Sequence, residues 1–243
     1  MRTTFAIALA ASAFALAATP GFSASLQVAP TTIDLPAKGG HAVLYVTNNG
    51  KTPIGVQLEG FEWSQLDGAD RLTPSKAIQV SPPMTELKPG ERQTIRLRTN
   101  TQAGREEHAF RVVASELPDH AALPHTGVEF LFQFSVPVFV GHDEADKSSH
   151  SDLAWSLHRT NEGSVLTVHN ASASHAKLSD LKLTPASGNG FDVGRGSLIY
   201  VLAGATRSWK VDPAATAPGE KLRIVAYDDR TRHSIGAPVS VVP

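Results

Sequence analysis

The longest alternation of apolar and polar positions runs from Gly127 to Gly141, GVEFLFQFSVPVFVG. Val128, Phe130, Phe132, Phe134, Val136 and Val138 fall on one side, and Glu129, Leu131, Gln133, Ser135, Pro137 and Phe139 on the other. Successive strand side chains point to opposite faces, so the pattern predicts one long β-strand with a strongly apolar face. Pro137 has no N–H to give to a ladder, which predicts an edge strand or a position whose N–H goes unused. A long apolar edge templates pairing with another chain. The pattern therefore raises the expectation that this edge is lent to a partner.

Shorter alternations surround this stretch. Upstream they predict strands at Leu26–Leu35 (interrupted at Pro30), Ala42–Thr47, Ile54–Trp63, Gln93–Thr99 and His108–Ser115, with a weaker extended piece at Leu72–Val80. In the last two clear strands Ile95, Leu97, Phe110 and Val112 make an apolar face, and Arg96, Arg98 and Arg111 lie opposite them. Downstream, strands are predicted at Leu153–His158, Val165–Asn170, Leu178–Leu183, Ile199–Leu202, Arg207–Val211, Leu222–Tyr227 and Val239–Val242. Asn48-Asn49-Gly50, Asp67-Gly68 and Lys88-Pro89-Gly90 punctuate the pattern as turns. No segment carries sustained helical periodicity.

Between the halves lies His142–Ser151, HDEADKSSHS, the one concentrated polar and charged run. It is expected to be a linker. The flanking pieces, 25–141 and 152–243, are each near the roughly 100 residues of an immunoglobulin-like sandwich. The expected fold is all-β: two immunoglobulin-like β-sandwich domains in tandem.

Composition narrows the function. The chain has 243 residues and a formal net charge of −1, which gives no support to nucleic-acid binding. Arg2, the apolar run Phe5–Ala18, the break at Thr19-Pro20-Gly21 and small residues around Ala24 have the parts of a secretory signal, expected over 1–24 and cleaved near Ser25 or Leu26. The apolar run is too short for a comfortable membrane span, so an exported protein without membrane insertion is expected. With no cysteine, thiol catalysis and zinc–thiolate sites are excluded. His142, Asp143, Glu144 and His150 lie close in sequence but lack ligand spacing, so no metal and no cofactor is expected. A nucleophile elbow, a HExxH helix and a phosphate loop are all missing, so no enzyme is expected. Trp63, Trp155 and Trp209 are expected to be core or core-edge.

Five stretches together carry a family resemblance: VTNNGKTPIGVQL (Val46–Leu58), SPPMTELKPGERQTIRLR (Ser81–Arg98), FRVVASELP (Phe110–Pro118), FLFQFSVPVFV (Phe130–Val140) and YVLAGATRSWKV (Tyr200–Val211). In this order they resemble the periplasmic pilus-assembly chaperones of the chaperone–usher pathway, the PapD-like family. The last stretch is most similar to the archaic branch that serves subunits related to spore coat protein U. The resemblance implies two domains set at an angle, a periplasmic location, pilus or fimbrial subunits as clients, and an outer-membrane usher that receives them. It implies donor-strand complementation, in which an extended strand completes a subunit sandwich. Val128, Phe130, Phe132 and Phe134 would be the inserted side chains. Self-association through the same edge is an expectation for the free protein.

The likeness has gaps. Two basic cleft residues bind the subunit carboxylate in better-known members, and their positions here are Thr32 and Pro137. That anchor does not transfer, and Arg96, Arg98 or Arg111 could serve instead, since a guanidinium makes paired hydrogen bonds with a carboxylate. Of a charged inter-domain contact, Glu107 matches the first acid and Asp228 or Asp229 the second; the basic partner falls at Gly141. Two other readings remain: a pilus subunit or adhesin, or a secreted β-sandwich carbohydrate-binding module or enzyme.

Overall fold

The computed structural model describes residues 26–118, 130–141, 152–160, 163–186, 190–193, 197–211 and 221–242. The expected signal segment and linker lie outside these residues, as does Val128. Every regular element described is a β-strand. The first half contributes β1 (Leu26–Ala29), β2 (Ile33–Leu35), β3 (Gly40–Asn48), β4 (Ile54–Leu66), β5 (Ala69–Pro74), β6 (Ile78–Ser81), β7 (Met84–Leu87), β8 (Arg92–Thr99), β9 (His108–Leu117) and β10 (Gln133–Val140). The second half contributes β11 (Leu153–Thr160), β12 (Gly163–Asn170), β13 (Ala176–Pro185), β14 (Phe191–Asp192), β15 (Ile199–Val201), β16 (Thr206–Val211), β17 (Leu222–Asp228), β18 (His233–Pro238) and β19 (Ser240–Val242).

These strands make two sandwiches. In the first, a sheet ordered β1-β3-β8-β6 faces one ordered β2-β10-β9-β4-β5, with β7 also on β4. In the second, β16-β12-β11-β19 faces β14-β13-β17-β18, with β15 on β13. Alternation gives each sheet one apolar face, and the two faces meet. Leu44, Val46, Ile95 and Leu97 from one sheet join Val56, Leu58, Phe110, Val112, Val136 and Val138 from the other. Trp155, Leu157, Leu166 and Val168 meet Leu178, Leu183, Ile224 and Ala226 in the second core. With no disulfide available, this packing carries the fold.

A buried asparagine closes each sandwich in the same way. Asn48 ends β3 and donates to Thr52 O (2.8 Å) and Leu87 O (2.9 Å), while its Oδ1 accepts from Gly50 N. Asn170 ends β12 and donates to Ser174 O, Val201 O and Leu202 O at 2.9–3.1 Å, while its Oδ1 accepts from Ser172 N. Buried amides of this kind are fully used, so they fix the turn rather than weaken the core.

Three strands were not expected from the pattern. β7, β14 and β18 are short or mostly exposed, and β18 (HSIGAP) contains both glycine and proline. The long strand starts later than expected, at Gln133 rather than near Gly127.

Candidate functional site

Strand β10 has three different environments along eight residues. Its even positions Val136, Val138 and Val140 are buried in the first core, and Phe132 and Phe134 pack partly against it. On the opposite face Phe139 is fully buried, in a separate cluster with Trp63, Ala109 and Leu202. The third environment is the backbone edge. β9 pairs with β10 along its whole length, from Gln133↔Ser115 to Val140↔His108. β2 pairs in parallel on the other side, but only along Val138–Val140.

Hydrogen-bond direction identifies which groups this leaves open. Glu116 N donates to Phe132 O (2.9 Å), and Gly141 N donates to Leu35 O at the end of β2 (3.1 Å). Alternation then turns even-numbered backbone groups toward β9 and odd-numbered groups toward the other side. Among the described residues no strand covers Gln133–Pro137 on that side. Pro137 sits where the edge would otherwise expose an N–H. Just before the strand, Phe130 is 69% exposed and Leu131 46% exposed. An open edge next to large exposed apolar side chains offers both main-chain hydrogen bonds and side-chain anchors to an incoming strand.

The arginine candidates separate. Arg96 and Arg98 are exposed on β8, on the outer face of the β1-β3-β8-β6 sheet. Arg111 lies on β9, on the outer face of the sheet that contains β10. Its guanidinium stacks 3.7 Å over the Trp63 ring and 5.3 Å from the Tyr200 centroid, and Nη1 donates to Ser135 O at 3.2 Å. Burial pushes the Arg111 pKa below its ordinary value, opposed by Tyr200 and Asp70. Arg111 borders a cavity of about 470 Å³ between the sandwiches, with Asp70, Ser197, Tyr200, Arg207, Trp209 and Lys210. The lining carries three cations, Arg111, Arg207 and Lys210, against one acid, Asp70, which is already paired with Arg207.

The two sandwiches meet around Phe139. His175 stacks on its ring at 3.6 Å between centroids and 10° between planes, and Tyr200 and Trp63 lie 5.9 Å away. His175 Nδ1 is 2.7 Å from Glu107 Oε1, with both side chains almost fully buried. Thus Glu107 reaches the second sandwich through His175, a residue sequence reasoning did not single out. Asp228 and Asp229 lie instead at the β17–β18 turn: Asp228 Oδ1 accepts from Arg230 N and Thr231 N, and Asp229 Oδ1 accepts from Ser179 Oγ. Gln65 makes a two-point contact, donating to Tyr200 O (2.9 Å) and accepting from Leu202 N (3.0 Å). Asp70 accepts from Trp63 Nε1 and Gln65 Nε2 and pairs with Arg207 at 3.0 Å. Among the described residues no group of three acidic or histidine side chains could hold a metal ion.

Residues 25–143 match the family model for the pili and flagellar-assembly chaperone, PapD N-terminal domain. The first sandwich is therefore a PapD N-terminal domain of the pili and flagellar-assembly chaperone family. Solved structures of pilus chaperones share the two-sandwich fold. A chain of the chaperone–tip adhesion subunit pre-assembly complex CsuC–CsuE, from the archaic chaperone–usher Csu pili of Acinetobacter baumannii, is 23% identical. It covers 90% of this chain and 100% of its own, with a TM-score of 0.71. The CupB2 chaperone of Pseudomonas aeruginosa is 16% identical over 87% of this chain and 99% of its own, with a TM-score of 0.57. The DraB chaperone of E. coli is 18% identical over 90% and 97%, also with a TM-score of 0.57. No curated protein sequence matches the chain.

One contact between the two sandwiches rests on a glycine. At the β4–β5 turn Gly68 has φ +77°, and a Cβ there would lie 2.9 Å from Ser208 Cβ on β16. Gly68→Ala is expected to cost about 1–2 kcal/mol for the left-handed backbone alone, and more because Ser208 is displaced. Gly90→Ala is the control, since φ is +75° there and nothing lies within 4 Å of the added carbon. Thermal unfolding of both variants checks this: equal losses would mean that Gly68 makes no steric contribution to the junction.

Proposed function

We propose that this protein is a periplasmic chaperone that captures pilus subunits by lending the open edge of β10, together with Phe130, Phe132 and Phe134, to an incomplete subunit sandwich. The observation that carries the reading is the half-paired strand: β2 covers Val138–Val140 and leaves Gln133–Pro137 open beside exposed Phe130. Val136, Val138 and Val140 hold the strand in the core, so the donor is presented on a rigid base. The structural relatives include a SafA pilin in complex with the SafB chaperone from Salmonella enterica, 18% identical to this chain with a TM-score of 0.57. An outer-membrane usher then takes over the subunit. Binding of this kind needs no cofactor and no catalytic group.

Arg111 is the anchor we assign to the subunit carboxylate, since it lies beside β10 and Arg96 and Arg98 lie on the other sheet. Arg111→Lys keeps the charge but loses the planar fork and the stack on Trp63. Subunit capture is expected to weaken about tenfold, the loss of one good charge-assisted contact. Arg96→Gln and Arg98→Gln are expected to leave capture unchanged. Capture by Arg111→Lys equal to the native protein would remove Arg111 from this role.

The test of the whole reading is isolation of the C-terminally tagged protein from the periplasm of its own host while surface fibres are being made. A stoichiometric β-rich partner is expected. A clean monomer under those conditions would overturn the reading.

A further inference from the structure

Arg96 and Arg98 are left without a role by the edge of β10, yet they belong to an unusual face. Strand register aligns the outward positions of β1, β3, β8 and β6. Gln27 lies opposite Thr47, Thr47 opposite Arg92, Tyr45 opposite Thr94, Val43 opposite Arg96 and His41 opposite Arg98. On the other side of β8, Gln79 lies opposite Arg98 and Ser81 opposite Arg96. None of these outward positions is acidic. Over residues 25–141 the chain has ten Lys and Arg against twelve Asp and Glu, so an acid-free face with three arginines is not a reflection of a basic domain. Arg92 stacks 3.7 Å over the Tyr45 ring. Among the described residues no carboxylate pairs with Arg96 or Arg98, and the nearest acid in sequence, Glu91, accepts from Lys88 N.

We propose that this face is a second docking surface, separate from the subunit edge, for an extended acidic segment of a partner protein. Residues two apart on a strand repeat at about 7 Å, so an extended segment with carboxylates at alternate positions matches the spacing of Arg92, Thr94, Arg96 and Arg98. All three cations are arginine, whose fork pairs with a carboxylate through two parallel bonds. β8 lies between β3 and β6, so the partner binds through side chains on the face and not by adding a strand.

The test uses a short labelled peptide alternating Glu and Thr, with the same peptide carrying Gln for Glu as control, and reads binding by fluorescence anisotropy. The native protein is expected to bind the Glu peptide, to ignore the Gln peptide, and to lose affinity as salt rises to ~0.15 M. The triple variant Arg92→Gln, Arg96→Gln, Arg98→Gln is expected to bind about tenfold more weakly or worse. The pair Arg96→Lys, Arg98→Lys keeps the charge and is also expected to weaken binding, with the same thermal midpoint as the native protein. Subunit co-purification is expected to persist in both variants, which separates this surface from the β10 edge. Native-like peptide affinity in the triple variant overturns the proposal. So does loss of the subunit in that variant. Sedimentation of the native protein and the Lys pair with equimolar phosphatidylcholine–phosphatidylglycerol vesicles, without peptide binding, would assign the face to a lipid surface instead.

Discussion

His175→Leu is expected to lower the unfolding free energy by about 3 kcal/mol, at the lower end of the cost of breaking a buried pair from one side. The ring it removes touches two elements of the first sandwich at once: the Glu107 carboxyl group at 2.7 Å and the Phe139 face at 3.6 Å. Leucine fills a similar volume but offers Glu107 no donor, so a polar group stays buried with a bond lost. The double variant Glu107→Leu, His175→Leu removes both members and is expected to recover most of the deficit, because two apolar groups can replace a buried polar pair at little cost. Denaturant unfolding of the native protein, both single variants and the double variant gives the coupling energy directly. Additive losses in the double variant would mean that the pair contributes no coupling and that packing on Phe139 accounts for the whole effect. The consequence for function runs through Phe139, because it shares a strand with the open edge. Loosening the junction is therefore expected to weaken subunit capture as well as stability.

The first sandwich was readable because its strands alternate cleanly and its turns carry Asn, Gly and Pro. Ile95, Leu97, Phe110 and Val112 were read as core residues from period alone and are buried. What period does not reveal is which sheet a strand joins. Arg96, Arg98 and Arg111 are alike in pattern, each outward between two inward, buried neighbours. They part only because β8 pairs with β3 while β9 pairs with β10. The junction was hidden for a related reason: Glu107 and His175 are 68 residues apart, and His175 stands outside any strand or motif. β18 was missed because GAP at its end reads as a turn, although its backbone pairs with β17 from Asp228 to Arg223. The Val128–Val140 alternation, by contrast, did indicate two faces. It could not show that the far half would be clamped by β2, since a parallel partner from the start of the chain leaves no local signal.

Phe130→Asp and Phe132→Asp are expected to abolish subunit capture, but with different effects on the fold. Phe130 is 69% exposed, so a carboxylate there meets water in the free protein and the thermal midpoint stays unchanged. Phe132 packs partly against the first core, and its carbonyl accepts from Glu116 N. Phe132→Asp should therefore lose about 1–2 kcal/mol of stability, part of the burial energy of one large side chain. Against the subunit the two substitutions act alike. Each apolar anchor buried in a subunit groove contributes roughly 1.5–3 kcal/mol, which is about one to two orders of magnitude in affinity. A carboxylate forced into that groove adds a desolvation cost to the lost contact. Co-purified subunit per chaperone, measured beside the melting curve of each variant, separates binding from folding. Loss of subunit in Phe130→Asp with an unchanged midpoint fits a donor strand, because that side chain has no structural work in the free protein. Full capture by Phe130→Asp, with capture and stability falling together in Phe132→Asp, would mean that the apolar face serves only the core and that subunits bind elsewhere.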